Sequence, residues 1–170
     1  DKPGGYTALL FPPGSAWSYS DGGANWLADV LTNVYRMDLR TVMFSRMFTP
    51  MGVASTDLVW RSNAFREDTL NGIKRREFGS GISLNANAMA RIGYLYLRRG
   101  RWQGQRLLPD AFVQRVQQPH PAVVGVSVRN AASFPSASNH YGVLWWTNAD
   151  STLPHVPRDA YWAWGLGDSL

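Results

Sequence analysis

Helical sequence patterns come first in this chain, and strand patterns come last. Apolar residues recur at helical spacing in segments between residues 25 and 116, whereas residues 141–147 and 160–165 have the aromatic and β-branched content of strands. Two strands alone make a marginal sheet, because a hairpin buries too little apolar surface by itself. The order predicts an α+β fold in which residues 1–140 are mainly helix and loop and residues 141–170 are strands. We expect further strands from residues outside this chain.

Two helices are predicted in the first third of the chain. The first runs from Asn25 to about Tyr35 on a stripe of apolar side chains, with Asp21 and Asn25 as candidate caps. The second begins after Asp38, a typical cap residue, and ends at residues 50–52, Pro-Met-Gly. A core role explains the methionines of the second helix, Met43 and Met47.

Two more helices follow after an irregular or partly extended segment over residues 54–73. The third has Asn85 or Asn87 as its cap, and the fourth begins at Pro109 because proline suits the first helical position. Residues 118–140 are rich in Pro, Ser, Ala and Asn without a regular period. They predict a long loop, and such loops often form the wall of a site.

The charge distribution argues against a nucleic-acid partner. The 170 residues carry a formal net charge of +5, but the basic residues are scattered. Their local concentrations, residues 74–76 and 98–101, lie at predicted loops or helix ends, where cations stabilise a helix C-terminus. Phosphate binding at these positions stays the less favoured interpretation, since no aromatic residues alternate with the basic ones.

Composition also limits the chemistry of the site and leaves the compartment open. The chain has no cysteine, so it has no disulfide, thiolate ligand or cysteine nucleophile. Its three histidines lie in Pro- and Ser-rich segments without the i, i+4 spacing of a metal site, and we expect no metal or other cofactor. No apolar run is long enough to span a membrane, and the N-terminal residues do not resemble a signal peptide.

Residues 13–23 place a tyrosine, a serine and an acid at the start of the first helix. Helix N-termini present free backbone N–H groups and a positive dipole end, which can face a ligand. Two interpretations are open for Tyr19 and Asp21. Either Tyr19 packs at the helix entry while Asp21 caps the helix, or both side chains face a substrate.

Five short motifs in a fixed order resemble the serine β-lactamase-like family, which includes class C β-lactamases, penicillin-binding carboxypeptidases and related esterases. The motifs are an aromatic-Ser-Tyr-Ser-Asp segment (17–21), Pro-Met-Gly (50–52), Gly-Ser-Gly-Ile-Ser (79–83), Ala-Arg-Ile-Gly (90–93) and Gly-Arg-Trp-Gln-Gly-Gln-Arg-Leu-Leu-Pro (100–109). The resemblance covers nearly the whole chain. It implies the helical subdomain and part of the antiparallel sheet of a β-lactamase/transpeptidase-like fold.

The resemblance also implies roles for individual residues. Tyr19 matches the tyrosine of the family's Tyr-x-Asn motif and would be the catalytic base, and Asp21 stands where Asn is commoner and would orient the substrate. The third motif of the family matches Ala163-Trp164-Gly165, which has neither the usual Lys nor His. A backbone N–H of this strand, where Gly165 lies, would contribute to the oxyanion hole, while Trp162 and Trp164 would line the acyl or leaving-group pocket.

The family's Ser-x-x-Lys does not occur in these 170 residues. The prediction is therefore a serine hydrolase that cleaves an uncharged ester or amide through an acyl-enzyme, with the nucleophile outside this chain. The alternative is a non-catalytic module that uses its tryptophans, which could equally be core residues, to bind a saccharide or peptidoglycan-like ligand. The family suggests a periplasmic or secreted location. Exposed strand edges would favour self-association.

Overall fold

The computed structural model describes residues 9–164, which divide into two compact units. The first unit contains Ser20–Leu107, and the second contains Leu9–Tyr19 together with the described residues from Leu108 onward. The predicted boundary at residue 140 lies inside the second unit. The C-terminal strands therefore share a unit with the fourth helix and the long loop.

Short strands alternate with four α-helices along the chain. In order, the elements are β1 (Ala16–Trp17), α1 (Asp21–Tyr35), α2 (Leu39–Met43), β2 (Leu58–Trp60), β3 (Thr69–Leu70), β4 (Ile73–Lys74), β5 (Ile82–Leu84), α3 (Ala86–Leu97), β6 (Arg101–Trp102), β7 (Gln105–Arg106), α4 (Asp110–Val116), β8 (Ser127–Val128), β9 (Tyr141–Gly142), β10 (Trp145–Thr147) and β11 (Tyr161–Trp162). A π-helical turn over Phe44–Phe48 continues α2, and a 3₁₀ turn over Ala137–Asn139 precedes β9.

Side-chain caps set the starts of three helices in the first unit. Asp38 caps α2 and Asn85 caps α3, as predicted. The predicted caps of α1, Asp21 and Asn25, are wrong. Ser20 is the cap, and its Oγ accepts a hydrogen bond of 3.1 Å from the backbone N–H of Gly23. Asp21 is instead the first helical residue, where its negative charge complements the helix dipole.

The apolar stripe of α1 is largely exposed among the described residues, and the opposite face of the helix is buried. Val30 and Val34 are 54% and 69% exposed, whereas Asn25, Ala28 and Thr32 on the opposite face are buried. Periodicity therefore predicts this helix but not the face on which it packs. The small side chain of Ala28 and the polar contacts of Asn25 decide which face packs, and periodicity alone does not detect them.

Each unit has its own paired strands. In the first unit, β2 pairs antiparallel with β5, and two short hairpins are formed by β3 with β4 and by β6 with β7. In the second unit, β1 pairs parallel with β8, and β10 lies between β9 and β11 in an antiparallel sheet. Apolar residues such as Phe48, Met51 and Leu95 are buried in the first unit, and Val113 and Val116 in the second.

The single strand predicted over residues 141–147 is a hairpin. Val143 and Leu144 have φ angles of 38° and 68°, which reverse the chain between β9 and β10. Such turns normally carry Gly or Asn, because other residues are strained at positive φ. An apolar pair at the turn gives no sequence signal, which explains the wrong prediction.

Asp38 links the start of α2 to the segment that follows β4. Its Oδ1 accepts hydrogen bonds from the backbone N–H of Arg40 at 2.9 Å and from Nε of Arg76 at 2.8 Å, and its Oδ2 accepts one from Nη2 of Arg76 at 2.5 Å. Burial raises the pKa of Asp38, but the hydrogen bonds from Arg76 and Arg40 and the charge of Arg76 lower it by more. The pKa therefore lies below the ordinary value of 3.8.

Replacing this carboxylate should destabilise the fold in a pH-dependent way. We expect Asp38→Asn to lower the free energy of unfolding at pH 7 by about 1–3 kcal/mol, because the cap weakens and Arg76 loses its anionic partner. The carboxylate contributes fully above its unfolded pKa, and this contribution is lost as the pH falls through the lower folded pKa. The difference between parent and variant, measured by urea unfolding, should therefore shrink below about pH 4.

The matched control is Asp159→Asn, which changes an exposed aspartate of the second unit. It should leave the free energy of unfolding within about 0.5 kcal/mol of the parent, both at pH 7 and below about pH 4. Equal destabilisation by the two variants at pH 7 would contradict the role of Asp38.

Candidate active site

The backbone of Tyr19 is held by the side chain of Asn130 in the second unit. The backbone N–H of Tyr19 donates to Oδ1 of Asn130, and Nδ2 of Asn130 donates to the carbonyl of Tyr19, both at 3.3 Å. One step earlier, the backbone N–H of Arg129 donates to the carbonyl of Trp17 at 2.8 Å. The amide of Asn130 thus holds the chain two residues beyond the end of β1.

The ring of Tyr19 lies against four other aromatic rings, one of which is Trp17 at a centroid distance of 6.3 Å and an interplanar angle of 53°. It stacks on Phe134 at a centroid distance of 4.7 Å and on Trp146 at 6.0 Å, with interplanar angles of 21° and 11°. Tyr141 meets it edge-on at 6.0 Å. Offset-stacked and edge-on contacts are the favourable geometries for aromatic rings, so these neighbours fix the orientation of the partly buried Tyr19 ring.

A pocket of about 180 Å³ opens beside these rings within the second unit. It is lined by Ser133, Phe134, Pro135, His140, Trp146, Thr147, Thr152, Leu153, Trp162 and Trp164. Trp162 and Trp164, predicted to line a substrate pocket, lie in its wall. Tyr19 itself is not among the lining residues, but its ring stacks on two that are, Phe134 and Trp146. Trp164 is half exposed.

Asp21 belongs to the first unit, whereas Tyr19, Trp162 and Trp164 belong to the second. Asp21 is partly buried, and the backbone of Gly79 approaches it closely. A Cβ atom on Gly79 would lie 2.5 Å from Cβ of Asp21, so this part of the Gly-Ser-Gly motif requires glycine. Gly165, the remaining predicted site residue, lies outside the described residues.

A buried glutamate that no sequence motif indicates holds the loop that packs on Asp21. Glu77 is 1% exposed, and its Oε1 accepts hydrogen bonds from Nδ2 of Asn25 at 2.7 Å and from the backbone N–H of Gly79 at 2.9 Å. Oδ1 of Asn25 accepts from the backbone N–H of Phe78 at 2.8 Å. These bonds tie the loop to α1, and only long-range contacts reveal them.

His140 and Asp150 form a second polar pair that sequence reasoning missed. Nδ1 of His140 lies 3.2 Å from Oδ2 of Asp150, and His140 contributes to the pocket wall. Burial raises the pKa of Asp150, but hydrogen bonds from Thr152 and His140 lower it by more, so this pKa lies below its ordinary value. Asp150 is therefore a carboxylate at neutral pH. The sequence does not predict this pair, because Asp150 lies ten residues after His140 and no short motif joins the two.

Two general features of the described part of the chain bear on the kind of site. Between residues 9 and 164, no group of three or more His, Asp or Glu side chains is placed to share a metal ion. Over the same residues, no helix combines the length and apolar character needed to cross a bilayer.

Comparison with known proteins places this geometry in a family. The chain matches a solved structure of a proposed 6-aminohexanoate-dimer hydrolase from Bacillus anthracis with a TM-score of 0.65 and 21% sequence identity. The match covers 94% of this chain and 35% of that one, so the chain spans about a third of the solved protein. At this identity the likeness establishes the fold. No curated protein matches the sequence.

A family model described as Beta-lactamase matches residues 5–164, which is nearly the whole chain. This match and the structural likeness confirm the predicted α+β fold and the predicted family. The chain belongs to the β-lactamase family of hydrolases.

Proposed function

We propose that the protein carrying this chain hydrolyses an ester or amide through an acyl-enzyme, with Tyr19 as the catalytic base. The observation that carries the proposal is the position of the Tyr19 ring, which is held against Phe134 and Trp146 while these two rings also line the pocket. A base must be fixed near the substrate to act on it. Membership in a hydrolase family supports the reaction class.

The proposed reaction divides into two transfers. In the first, Tyr19 accepts the proton of a serine hydroxyl while the serine oxygen attacks the substrate carbonyl, and Tyr19 then returns this proton to the leaving alcohol or amine. In the second, Tyr19 accepts a proton from water as the water oxygen attacks the acyl carbonyl, and it passes this proton to the serine oxygen as the acyl bond breaks and the carboxylic acid is released. The serine and its lysine must come from a part of the protein outside these residues, since no Ser-x-x-Lys occurs in them.

The third motif supports ester or amide hydrolysis more than β-lactamase activity. Ala163-Trp164-Gly165 offers neither Lys nor His to pair with the carboxylate of a β-lactam or peptide. Asp21 adds a negative charge where the family more often has a neutral amide. Both features disfavour a substrate with a free carboxylate near the scissile bond.

Removing the hydroxyl of Tyr19 tests the assignment of the base. In a full-length form of the protein, we expect Tyr19→Phe to lower kcat on an activated ester such as p-nitrophenyl butyrate by about 10²–10⁴-fold, because general base catalysis contributes this much. The phenyl ring should keep the stacking on Phe134 and Trp146, so thermal unfolding should change little.

The control is Tyr161→Phe, because Tyr161 lies in β11 but is not part of the pocket wall. It should keep the parental kcat. A Tyr19→Phe variant that hydrolyses the ester at the parental rate would rule out Tyr19 as the base.

Asn130 should act as a positioning residue through the backbone of Tyr19. Asn130→Asp keeps the acceptor oxygen but loses the donor, and Asn130→Ala loses both hydrogen bonds. We therefore expect kcat to fall about threefold for Asp and about tenfold or more for Ala, with KM changing less, because a displaced base affects the transition state.

A graded effect in these two variants separates positioning from a general loss of stability. The fraction of folded protein, measured by near-UV circular dichroism of the aromatic rings, should stay above 90% in both, since each lost hydrogen bond is worth only about 1 kcal/mol. If kcat changes only in proportion to the folded fraction, Asn130 has a purely structural role.

A non-catalytic binding module for a saccharide or peptidoglycan-like ligand is the second candidate. It is favoured by the pocket's tryptophans together with the lack of Ser-x-x-Lys in this chain. Incubating the full-length protein with a fluorophosphonate and measuring the intact mass distinguishes the two. The hydrolase should gain one covalent adduct, because only an activated serine is phosphonylated. An unmodified mass combined with saccharide binding would support the module instead.

A further inference from the structure

We propose that the pocket of the second unit binds an ammonium group, so that the substrate carries an alkylammonium end. The pocket combines aromatic faces with hydrogen-bond acceptors and a nearby carboxylate. The binding site stands on the geometry of the second unit alone. Its use for substrate recognition rests on the hydrolase function proposed above.

The polar groups of the pocket favour a ligand that donates hydrogen bonds and carries positive charge. Nδ1 of His140 lies 3.2 Å from Oδ2 of Asp150, and in the tautomer that donates from Nδ1 to this carboxylate, Nε2 is left as an acceptor. Thr147 also lies in the wall, and among residues 9–164 its buried hydroxyl has no hydrogen-bond partner. The Asp150 carboxylate brings a negative charge behind this part of the wall.

Among the described residues, no cationic side chain lines the pocket and takes the place of a bound ammonium group. The residues that line the pocket include no lysine or arginine. Arg158 lies on the same loop as Asp150, but it is exposed, and its Nε and Nη2 donate to the carbonyl of Ala149 at 3.2 and 2.7 Å. Solvent and salt screen the charge of this exposed guanidinium.

The arrangement of the rings suits a compact cation better than a flat ring. Phe134 and Trp146 are nearly parallel at a centroid distance of 5.8 Å, which is less than the roughly 7 Å needed to sandwich another ring between them. Trp164 meets them at 72° and 63°, with centroid distances of 6.5 and 6.0 Å. The three rings therefore form a corner, and aromatic faces in such corners attract quaternary and alkylated ammonium groups.

The size of the pocket agrees with this ligand class. Its volume of about 180 Å³ is slightly larger than that of a cavity of about 150 Å³ that holds benzene. A trimethylammonium group with a short alkyl arm fits this space, whereas a disaccharide is too large. Trp164, half exposed, leaves the pocket open to solvent on its side.

A pair of matched probes tests the ammonium preference directly. Choline and its neutral counterpart 3,3-dimethyl-1-butanol have the same shape and differ in charge. Titrated into the full-length protein and followed by tryptophan fluorescence and calorimetry, choline should bind at least tenfold more tightly, because cation–π contacts and the Asp150 carboxylate act only on the cation. Equal affinities, or tighter binding of benzyl alcohol than of choline, would overturn the proposal.

Variants should locate choline binding at this pocket. Trp164→Ala removes one ring of the corner and Asp150→Asn removes the negative charge. Each should weaken choline binding about three- to tenfold, and Asp150→Asn should leave the binding of the neutral probe unchanged. Trp145→Phe is the control, because Trp145 precedes Trp146 in β10 but does not line the pocket. Choline binding that is unchanged in both Trp164→Ala and Asp150→Asn would place the ligand elsewhere and refute the assignment.

A pair of esters separates this inference from the proposed function. Butyrylcholine and 3,3-dimethylbutyl butyrate present the same acyl group and differ only in the charge of the alcohol. A higher kcat/KM for butyrylcholine, lost in Trp164→Ala, supports both proposals. Equal hydrolysis of both esters refutes the ammonium pocket as a specificity site and keeps the hydrolase. Choline binding without hydrolysis of either ester keeps the pocket and refutes the hydrolase.

Discussion

The contacts among aromatic rings are the interaction on which the second unit depends. Its strands have only two or three residues each, so their ladders contain few hydrogen bonds. The rings of Trp17, Tyr19, Phe134 and Trp146 connect β1, the loop after β8 and the sheet around β10. Each aromatic pair contributes about 0.5–1.5 kcal/mol beyond simple burial. The same contacts that hold these short elements together also orient Tyr19 and shape the pocket.

In the first unit, buried polar groups rather than aromatic rings hold a loop in place. Glu77 is buried, and one of its oxygens is satisfied by Asn25 and by the backbone of Gly79, while Oε2 has no partner among the described residues. A buried carboxyl group is costly unless hydrogen bonds compensate for lost hydration. Its position is explained by the loop that it fixes, because Gly79 packs directly on Asp21 and Gly81 on the backbone of Glu77. A group that would be unfavourable in an ordinary core is tolerated where it orders a candidate site.

Local signals made part of this structure predictable from the sequence. Asp38 and Asn85 are caps because their side chains bond to backbone groups two or three residues ahead, and such contacts can be recognised from sequence. Tyr19 and Trp164 were found through short motifs of the family. The partners of Tyr19 were not, because Asn130 is 111 residues away in the chain and only the folded structure brings them together. The turn at Val143 is not predictable in this way, because valine rarely adopts the positive φ that this turn has.

Local charge and overall charge have opposite signs in this protein, and they act on different steps of binding. The net charge of +5 is spread over scattered basic residues, so it raises the potential of the surface as a whole and slightly disfavours the approach of a cation. At the pocket, however, a bound group displaces solvent, and the Asp150 carboxylate lies behind His140 of the wall, 3.2 Å from its Nδ1, so its charge acts over a short distance. Long-range repulsion is screened within about one Debye length, roughly 8–10 Å, whereas contacts inside the pocket are screened much less. Selectivity for an ammonium group is therefore compatible with a basic protein, because short-range contacts determine which ligand stays bound.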